Sequence, residues 1–398
     1  MRLLAIAGNI DATIADIRLR TPLAAWVQRE GGSLTLRSFH DCTRADLAGA
    51  DVLIVQRGAS PRALRLQQAM RARGGVVIYE IDDLLTEVAP HISQHAATRA
   101  ALPWLRRCLA QCELVTVSTA RLGRELGLAN AFEVPNCAED SLDAPLPMQQ
   151  DGAPPTLLFA SSDRLATPFI YPALRELLAA QPGVRLVVVG PPAADFAAAG
   201  LAVQAEPLRP RAAFIAFARA LPNVLAVIPL EDTRFAACKS AVKWFDYAAA
   251  GIPAVCSDVS PYREVIESGR TAVLVPNESA AWAQALMSLV ADAPARQALG
   301  DAARAAVRER HTLAQSAAAW QQAIERALAQ RAAHPPQAPG LAWQVADAAL
   351  RLAEGAVLRL RAINRARLAS RQRRSAPAGQ SGCGAGSPPD CPPPPPCA

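Results

Sequence analysis

Short apolar runs recur along this chain, each bounded by turn residues and followed by a segment whose apolar positions repeat with helical spacing. LLAIA (residues 3–7), SLTLRSF, ADVLIVQRG, VVIYEIDDLL, ELVTVST and AFEVPNC read as six successive strands. TPLAAWVQREGG, stopped by Gly31 and Gly32, and the segment opened by Pro61 and stopped by Gly74 and Gly75 read as helices. Strand, helix and strand in that order predict a parallel sheet with right-handed crossovers. The polar, Pro-rich stretch AEDSLDAPLPMQQDGAPP then interrupts the pattern and sets a boundary near residue 145. Beyond it the alternation restarts with TLLFASSDR, YPALRELLAAQPG, VRLVVVG, RAAFIAFARALPN and VLAVIPL. The expected fold class is therefore α/β, in two parallel-sheet domains over residues 1–145 and 146–334.

The most informative stretch is CKSAVKWFDYAAAGIPAVCSDVSPYREVIESGRTAVLVP, residues 238–276. It predicts a helix over residues 240–250, ended by Gly251 and Pro253, then the strand PAVCS, a short helix PYREVIES and the strand TAVLV. Lys239, Lys243 and Asp246 fall at i, i+4 and i+7, while Val242, Phe245 and Ala249 form an apolar stripe. A helix amino end with Lys239 beside it suits a phosphate or diphosphate, and Asp246 can accept hydrogen bonds from vicinal sugar hydroxyls. A solvated face with a Lys243–Asp246 pair explains the same spacing.

In order and residue type the stretch resembles the donor-binding half of retaining nucleotide-sugar glycosyltransferases of the GT-B fold. That group includes bacterial cell-surface polysaccharide enzymes. FDYAAAGIPAV matches the core of their motif with Asp246 at the second acid, and YREVIESG matches its later part through Glu264 and Gly269. Lys239 and Ser240 resemble the KS that precedes the helix in one branch. Two departures stand out: the second acid is Asp, and the first acid position, a donor-sugar contact, holds Cys238. The resemblance covers about the second half of the chain. It implies two Rossmann-like parallel-sheet domains facing a cleft, with the nucleotide-sugar donor on residues 146–334 and the acceptor on residues 1–145. It further implies Lys239 and Lys243 as catalytic partners of a departing diphosphate, Asp246 as ribose anchor, Ser240 and Glu264 as donor ligands, retention of configuration, and no protein-bound metal or cofactor beyond the donor itself.

Other candidates sit at the carboxyl ends of strands, where open α/β sheets bind ligands. Gly8 and Asn9 follow the first strand, as a tight turn or an acceptor contact; the chain has no GxGxxG there. Arg57 and the pair Asp82 and Asp83 fall at strand ends on one edge. Acceptor binding, metal assistance and turn or cap formation all account for the two carboxylates, and the resembled enzymes often carry a similar EIDD. After TLLFA, Ser161, Ser162 and Arg164 offer hydroxyls and charge to phosphate, although the family's glycine-rich turn is missing. Arg234, in the loop EDTRFAA, reaches phosphate or pairs with Glu231 or Asp232. His91 and His95 stand at i, i+4 without a third metal ligand, and read as surface histidines. In the resembled fold a last helix crosses back to brace the first domain, a part HTLAQSAAAWQQAIERALAQ can fill; Trp282 and Trp320 read as core anchors.

With 398 residues the chain exceeds what one core serves, and 51% hydrophobic residues supply two. Residues 335–398 hold eight Arg against three acids, most of the net charge of +6, so the body is nearly neutral and no nucleic-acid partner is expected. The tail reads as a basic amphipathic helix followed by a disordered Gly/Pro-rich end. It can contact the inner face of a membrane peripherally, or serve as a solvated or partner-binding helix. No signal peptide or spanning segment is legible, and Cys42, Cys108, Cys112, Cys137 and Cys256 read as reduced thiols, predicting a cytoplasmic location. The function expected is sugar transfer from a nucleoside-diphosphate sugar to a hydroxyl of a saccharide or lipid-linked acceptor, in surface polysaccharide or glycoconjugate synthesis. A nucleotide-sugar epimerase and a non-catalytic scaffold of the same fold are the alternatives.

Overall fold

The computed structural model describes residues 1–138, 152–164 and 167–334. The tail of residues 335–398, with the expectations that fall on it, lies outside them. The first sheet contains β1 (Arg2–Ala7), β2 (Ser33–Ser38), β3 (Val52–Gln56), β4 (Val76–Ile81), β5 (Leu114–Val117) and β6 (Ala131–Glu133) in the order β2-β1-β3-β4-β5-β6. The second contains β7 (Thr156–Ala160), β8 (Arg185–Val189), β9 (Gln204–Glu206), β10 (Val224–Ile228), β11 (Ala254–Ser257) and β12 (Val273–Val275) in the order β12-β11-β10-β7-β8-β9. Every pairing is parallel, so all strands of a sheet end on one edge.

The near-continuous apolar runs follow from burial on both faces. In β1, Leu4 and Ile6 pack into one core while Leu3, Ala5 and Ala7 pack into the other, the period of two of a strand. β7 divides likewise, with Leu158 on one side and Leu157 and Phe159 on the other. The helix Leu313–Ala333 starts at a Thr312/Gln315 capping box and returns to the first sheet, where Trp320, Ala323 and Ile324 join Leu3, Ile54 and Ile78 in one core. Trp282 and Trp320 are fully buried, as anchors should be.

Three elements escape the periodicity argument. β9 is only Gln204–Glu206 and mostly exposed, which leaves no apolar run to see. The helix His95–Leu109 buries only Leu105 and Cys108. The helix after β1 begins at Thr13, passes through a π turn at Asp16–Arg20 and continues as Thr21–Glu30; the extra residue per turn shifts the apolar register. The expected helix PYREVIES shrinks to a single 3-10 turn, Tyr262–Glu264.

Candidate active site

Strand order, though not strand direction, reverses in the second sheet between β7 and β10, the place where open α/β sheets bind ligands at the carboxyl ends of their strands. β10 delivers the short helix Arg234–Ala237, capped by the Thr233 hydroxyl, then Cys238, Lys239 and Ser240, and then the helix Val242–Ala249. Lys239 and Ser240 thus precede this helix instead of lying on it, and the expected stripe of Lys239, Lys243 and Asp246 is broken. Lys243 donates to the carbonyl of Ala160, at the end of β7, at 3.1 Å. Water reaches this side chain, but the protein packed around the ammonium disfavours its charge, and Lys239 adds repulsion; Asp163 opposes both, and the net effect is a pKa lowered to about 8.

Lys239 faces the first sheet. Its ammonium lies 3.2 Å from Asp83 Oδ1 and 4.5 Å from the centre of the Phe235 ring. Arg57 binds the same carboxylate at 2.6 Å through Nη2 and Asp82 through Nε, so Arg57, Asp82, Asp83 and Lys239 form one network between the two sheets. Burial alone would raise Asp83, yet Lys239 and Arg57 together hold it below the ordinary carboxylate range. Arg57 stays above its ordinary range because Asp82 and Asp83 outweigh its desolvation. Its backbone sits at φ 48°, a left-handed conformation that costs a side-chain-bearing residue about 1–2 kcal/mol. The two carboxylates expected to meet an acceptor are thus engaged by cations.

Ser240 belongs to a second, deeper chain of contacts. Asn136 Nδ2 donates to Ser240 Oγ at 2.6 Å, and Asn136 Oδ1 accepts from Arg18 Nη1 at 2.7 Å. Arg18, in the π turn, also donates to Val134 O at 2.6 Å and through Nε to Glu80 Oε1 at 2.7 Å. Arg18 and Glu80 are 1% and 0% exposed. Burial pushes the Glu80 carboxyl up while Arg18 pulls it back.

Several expected roles are corrected by these contacts. Asp246 is buried, and both its oxygens are held by Arg211, at 3.0 Å for Nε to Oδ2; Arg211 also donates to Cys137 O at 2.8 Å. It is neither an open carboxylate nor the partner of Lys243. Cys238 is 0% exposed and packs with Phe235 into the first sheet's core, while Thr119 Oγ1 donates to its carbonyl at 3.1 Å. That position holds an apolar wedge, and burial raises the thiol to about 11. Arg234 pairs with neither Glu231 nor Asp232: it reaches Glu87 and, at 2.6 Å, Glu125 of the first half. Glu231 instead meets His91 at 3.1 Å. Arg164 is tied to Asp195 on the surface, Nε to Oδ1 at 3.0 Å. Ser162 is exposed beside it. Glu264 accepts from Ser260 Oγ at 2.5 Å, next to the like-charged Glu133. Gly8 has open space around it, and Asn9 Oδ1 accepts from the Asp11 amide at 3.0 Å, which makes the β1 end a local turn.

Arg18, Glu80, Asn136 and Arg211 went unpredicted because their partners are remote in sequence. One signal was available without any structure: Lys239 and Lys243 are the only lysines in the chain, every other cationic side chain of its 41 Lys and Arg being Arg. A groove of about 470 Å³ runs alongside, lined by Ile10, Asp11, Thr13 and Arg20 from the first half and by Leu208 to Arg211 from the second. Among the described residues no group of three or more His, Cys, Asp or Glu is placed to share a metal ion. None of the described helices is long and apolar enough to cross a membrane.

Two parallel Rossmann-like sheets with a crevice between their carboxyl edges define a GT-B protein. Residues 169–322, most of the second half, match the family described as Glycosyl transferase-like. No curated protein matches the chain. Among solved structures it is similar to sucrose-phosphate synthase of Thermosynechococcus elongatus (TM-score 0.60, 16% identity, 82% of this chain and 99% of that one). It is also similar to HepE of Anabaena in complex with UDP and glucose (TM-score 0.54, 14% identity, 82% and 99%). TarM of S. aureus in a complex containing UDP matches at TM-score 0.52 and 13% identity over 69% of this chain, which spans about half of TarM's length (55%). At such identities the likeness establishes the fold.

Proposed function

We propose that this protein transfers a sugar from a nucleoside-diphosphate sugar to an acceptor hydroxyl of a saccharide or lipid-linked substrate, in surface polysaccharide or glycoconjugate synthesis. The observation that carries the reading is the placement of both lysines. In a chain whose other Lys-or-Arg cations are all Arg, its two lysine ammonium groups stand four residues apart where the strand order of the second sheet reverses. Lys243 has no ion-pair partner among the described carboxylates; it rests on a carbonyl with its charge disfavoured, a state that an arriving diphosphate relieves. Lys239 is held by Asp83, a contact that a phosphate oxygen can replace. Charge building on the departing diphosphate would be met by these two ammonium groups and by Ser240. The nucleoside would occupy the groove lined by Arg211, with Asp246 fixing that guanidinium from behind. Retention of configuration without a protein-bound metal is the reading that the likeness of residues 238–276 to the retaining enzymes supports. We also infer cytoplasmic work, with the Arg-rich tail as a membrane contact.

Calorimetric titration with UDP, GDP, ADP and dTDP tests the reading. One of them should bind the wild type, and Lys239→Ala and Lys243→Ala should weaken it while the folded state persists. Binding by none, or equal binding by the folded variants, removes the assignment. Product analysis on the donor sugar alone separates transfer from epimerisation, since an epimerase needs no acceptor.

A further inference from the structure

The hydrogen bonds around Ser240 have a forced polarity. Arginine only donates, so the Asn136 atom that faces Arg18 Nη1 at 2.7 Å has to be the amide oxygen. The amide nitrogen therefore faces Ser240 Oγ at 2.6 Å and donates to it. With that lone pair used, the Ser240 proton points elsewhere, and no described group accepts it. Glu80 fixes the start of the chain by accepting from Arg18 Nε at 2.7 Å. Arg18, Glu80 and Asn136 are 1%, 0% and 5% exposed, so bulk water does not reset these roles.

The same chain is a poor arrangement for stability alone. Nη2 of Arg18 and Oε2 of Glu80 are buried without a hydrogen-bond partner among the described residues, and such atoms carry a desolvation penalty. Arg18 reaches this place through the π turn, and π turns recur at functional sites. The three residues come from the helix after β1, from β4 and from the segment after β6, whereas Ser240 belongs to the second half, so the chain closes only when the two halves meet.

We propose that Arg18, Glu80 and Asn136 are positioning residues that fix the Ser240 hydroxyl as a hydrogen-bond donor to an acceptor-only ligand oxygen, that of the donor's diphosphate. This rests on the reading of the site given above. A phosphate oxygen can only accept, so it requires the Ser240 proton that this arrangement leaves free, whereas a sugar hydroxyl can meet Ser240 in either polarity.

Asn136→Asp gives the test. An aspartate keeps the bond to Arg18 but presents an acceptor to Ser240, which turns the hydroxyl away from the ligand. Affinity for the tightest of UDP, GDP, ADP and dTDP is measured by calorimetry on the full chain. Ser240→Ala and Asn136→Asp should each weaken it about tenfold, Ser240→Thr should recover most of the loss, and the double variant should be no worse than about tenfold. Losses that multiply to about a hundredfold would mean that the new charge acts by itself, and would overturn the proposal. Ser240→Ala with unchanged affinity would overturn it too, while leaving the transferase reading in place. If the wild type binds none of the four, both readings fall. Should Asn136→Asp not fold, Asn136→Ala takes its place: a milder loss that does not add to that of Ser240→Ala is expected, and additive losses count against the relay.

Discussion

The carboxyl edges of the two sheets invite comparison because they share a plan and differ in how their cations are balanced. On the first, Arg18 lies against Glu80, Arg57 against Asp82 and Asp83, and Gln56 against the carbonyl of Ile14 at 3.2 Å. Each cation there is matched by a carboxylate from its own half. On the second, Arg211 and Arg164 are matched by Asp246 and Asp195, but Lys243 meets only a carbonyl among the described residues, and Lys239 borrows its carboxylate from the opposite sheet. A cation matched within its own half stabilises that half; one left unmatched is available to a ligand. The comparison assigns Arg18 and Arg57 mainly to architecture and positioning, and the lysines to binding and chemistry.

The largest effect should come from unmatching a cation on the first edge. Glu80→Ala leaves Arg18 buried without its counter-charge, and breaking such a pair costs about 3–5 kcal/mol. Chemical denaturation should show that loss, with Glu80→Gln milder because it keeps an acceptor for Arg18 Nε. A variant as stable as wild type would mean that this edge is not built around its ion pairs. On the second edge the same logic predicts a split. Lys243→Ala should leave stability near wild type while turnover falls about a hundred- to a thousandfold, the range seen when one group stabilising developing negative charge is removed.

The contrast also explains what could be read from residues alone. The strands were legible because both faces of each sheet are covered, which turns β3 into VLIVQ and β4 into VVIYEI. Where the candidate residues fall on the fold was legible because strand ends and the turn before a helix are local features. Its wiring was not: Lys239 and Asp83 are 156 residues apart, Ser240 and Asn136 are 104 apart, and Arg18 and Glu80 are 62 apart. Spacing along a helix places Asp246 on a polar stripe, but it cannot show that Arg211, 35 residues earlier, comes in to cover it. Cys238 shows the same limit, since a thiol at an acid's position gives no hint in the sequence that the first sheet's core encloses it.

A smaller effect concerns pH. Desolvation and Lys239 depress Lys243 to about 8, below its ordinary value. A bound diphosphate favours the ammonium and raises that value, so affinity should be flat below about pH 8. Above it, affinity should fall by at most about tenfold per pH unit until the bound-state pKa is passed. Calorimetry in buffers of different ionisation enthalpy should register proton uptake on binding near pH 8 to 9. Lys243→Arg should abolish both the fall and the uptake, because its charge persists throughout. If the variant keeps the same profile, the titrating group lies elsewhere.

The smallest effect should come from Arg234, and it sharpens the comparison by being a match between halves that is not buried. Its side chain is 52% exposed where it meets Glu87 and Glu125, so water and salt screen both contacts. Next to it Phe235 enters the first sheet's core, which already fixes where this short helix docks. Removing the charge therefore removes a screened attraction and leaves the apolar contact in place. Arg234→Ala should unfold at nearly the wild-type denaturant midpoint, and any difference should vanish at about 0.5 M salt, where the Debye length drops well below its value of about 8 Å at physiological strength. A large, salt-insensitive loss would show that the halves are held together by this pair instead of by Phe235 and Cys238. The division between matched cations that stabilise and unmatched cations that bind would then need a third class at the surface.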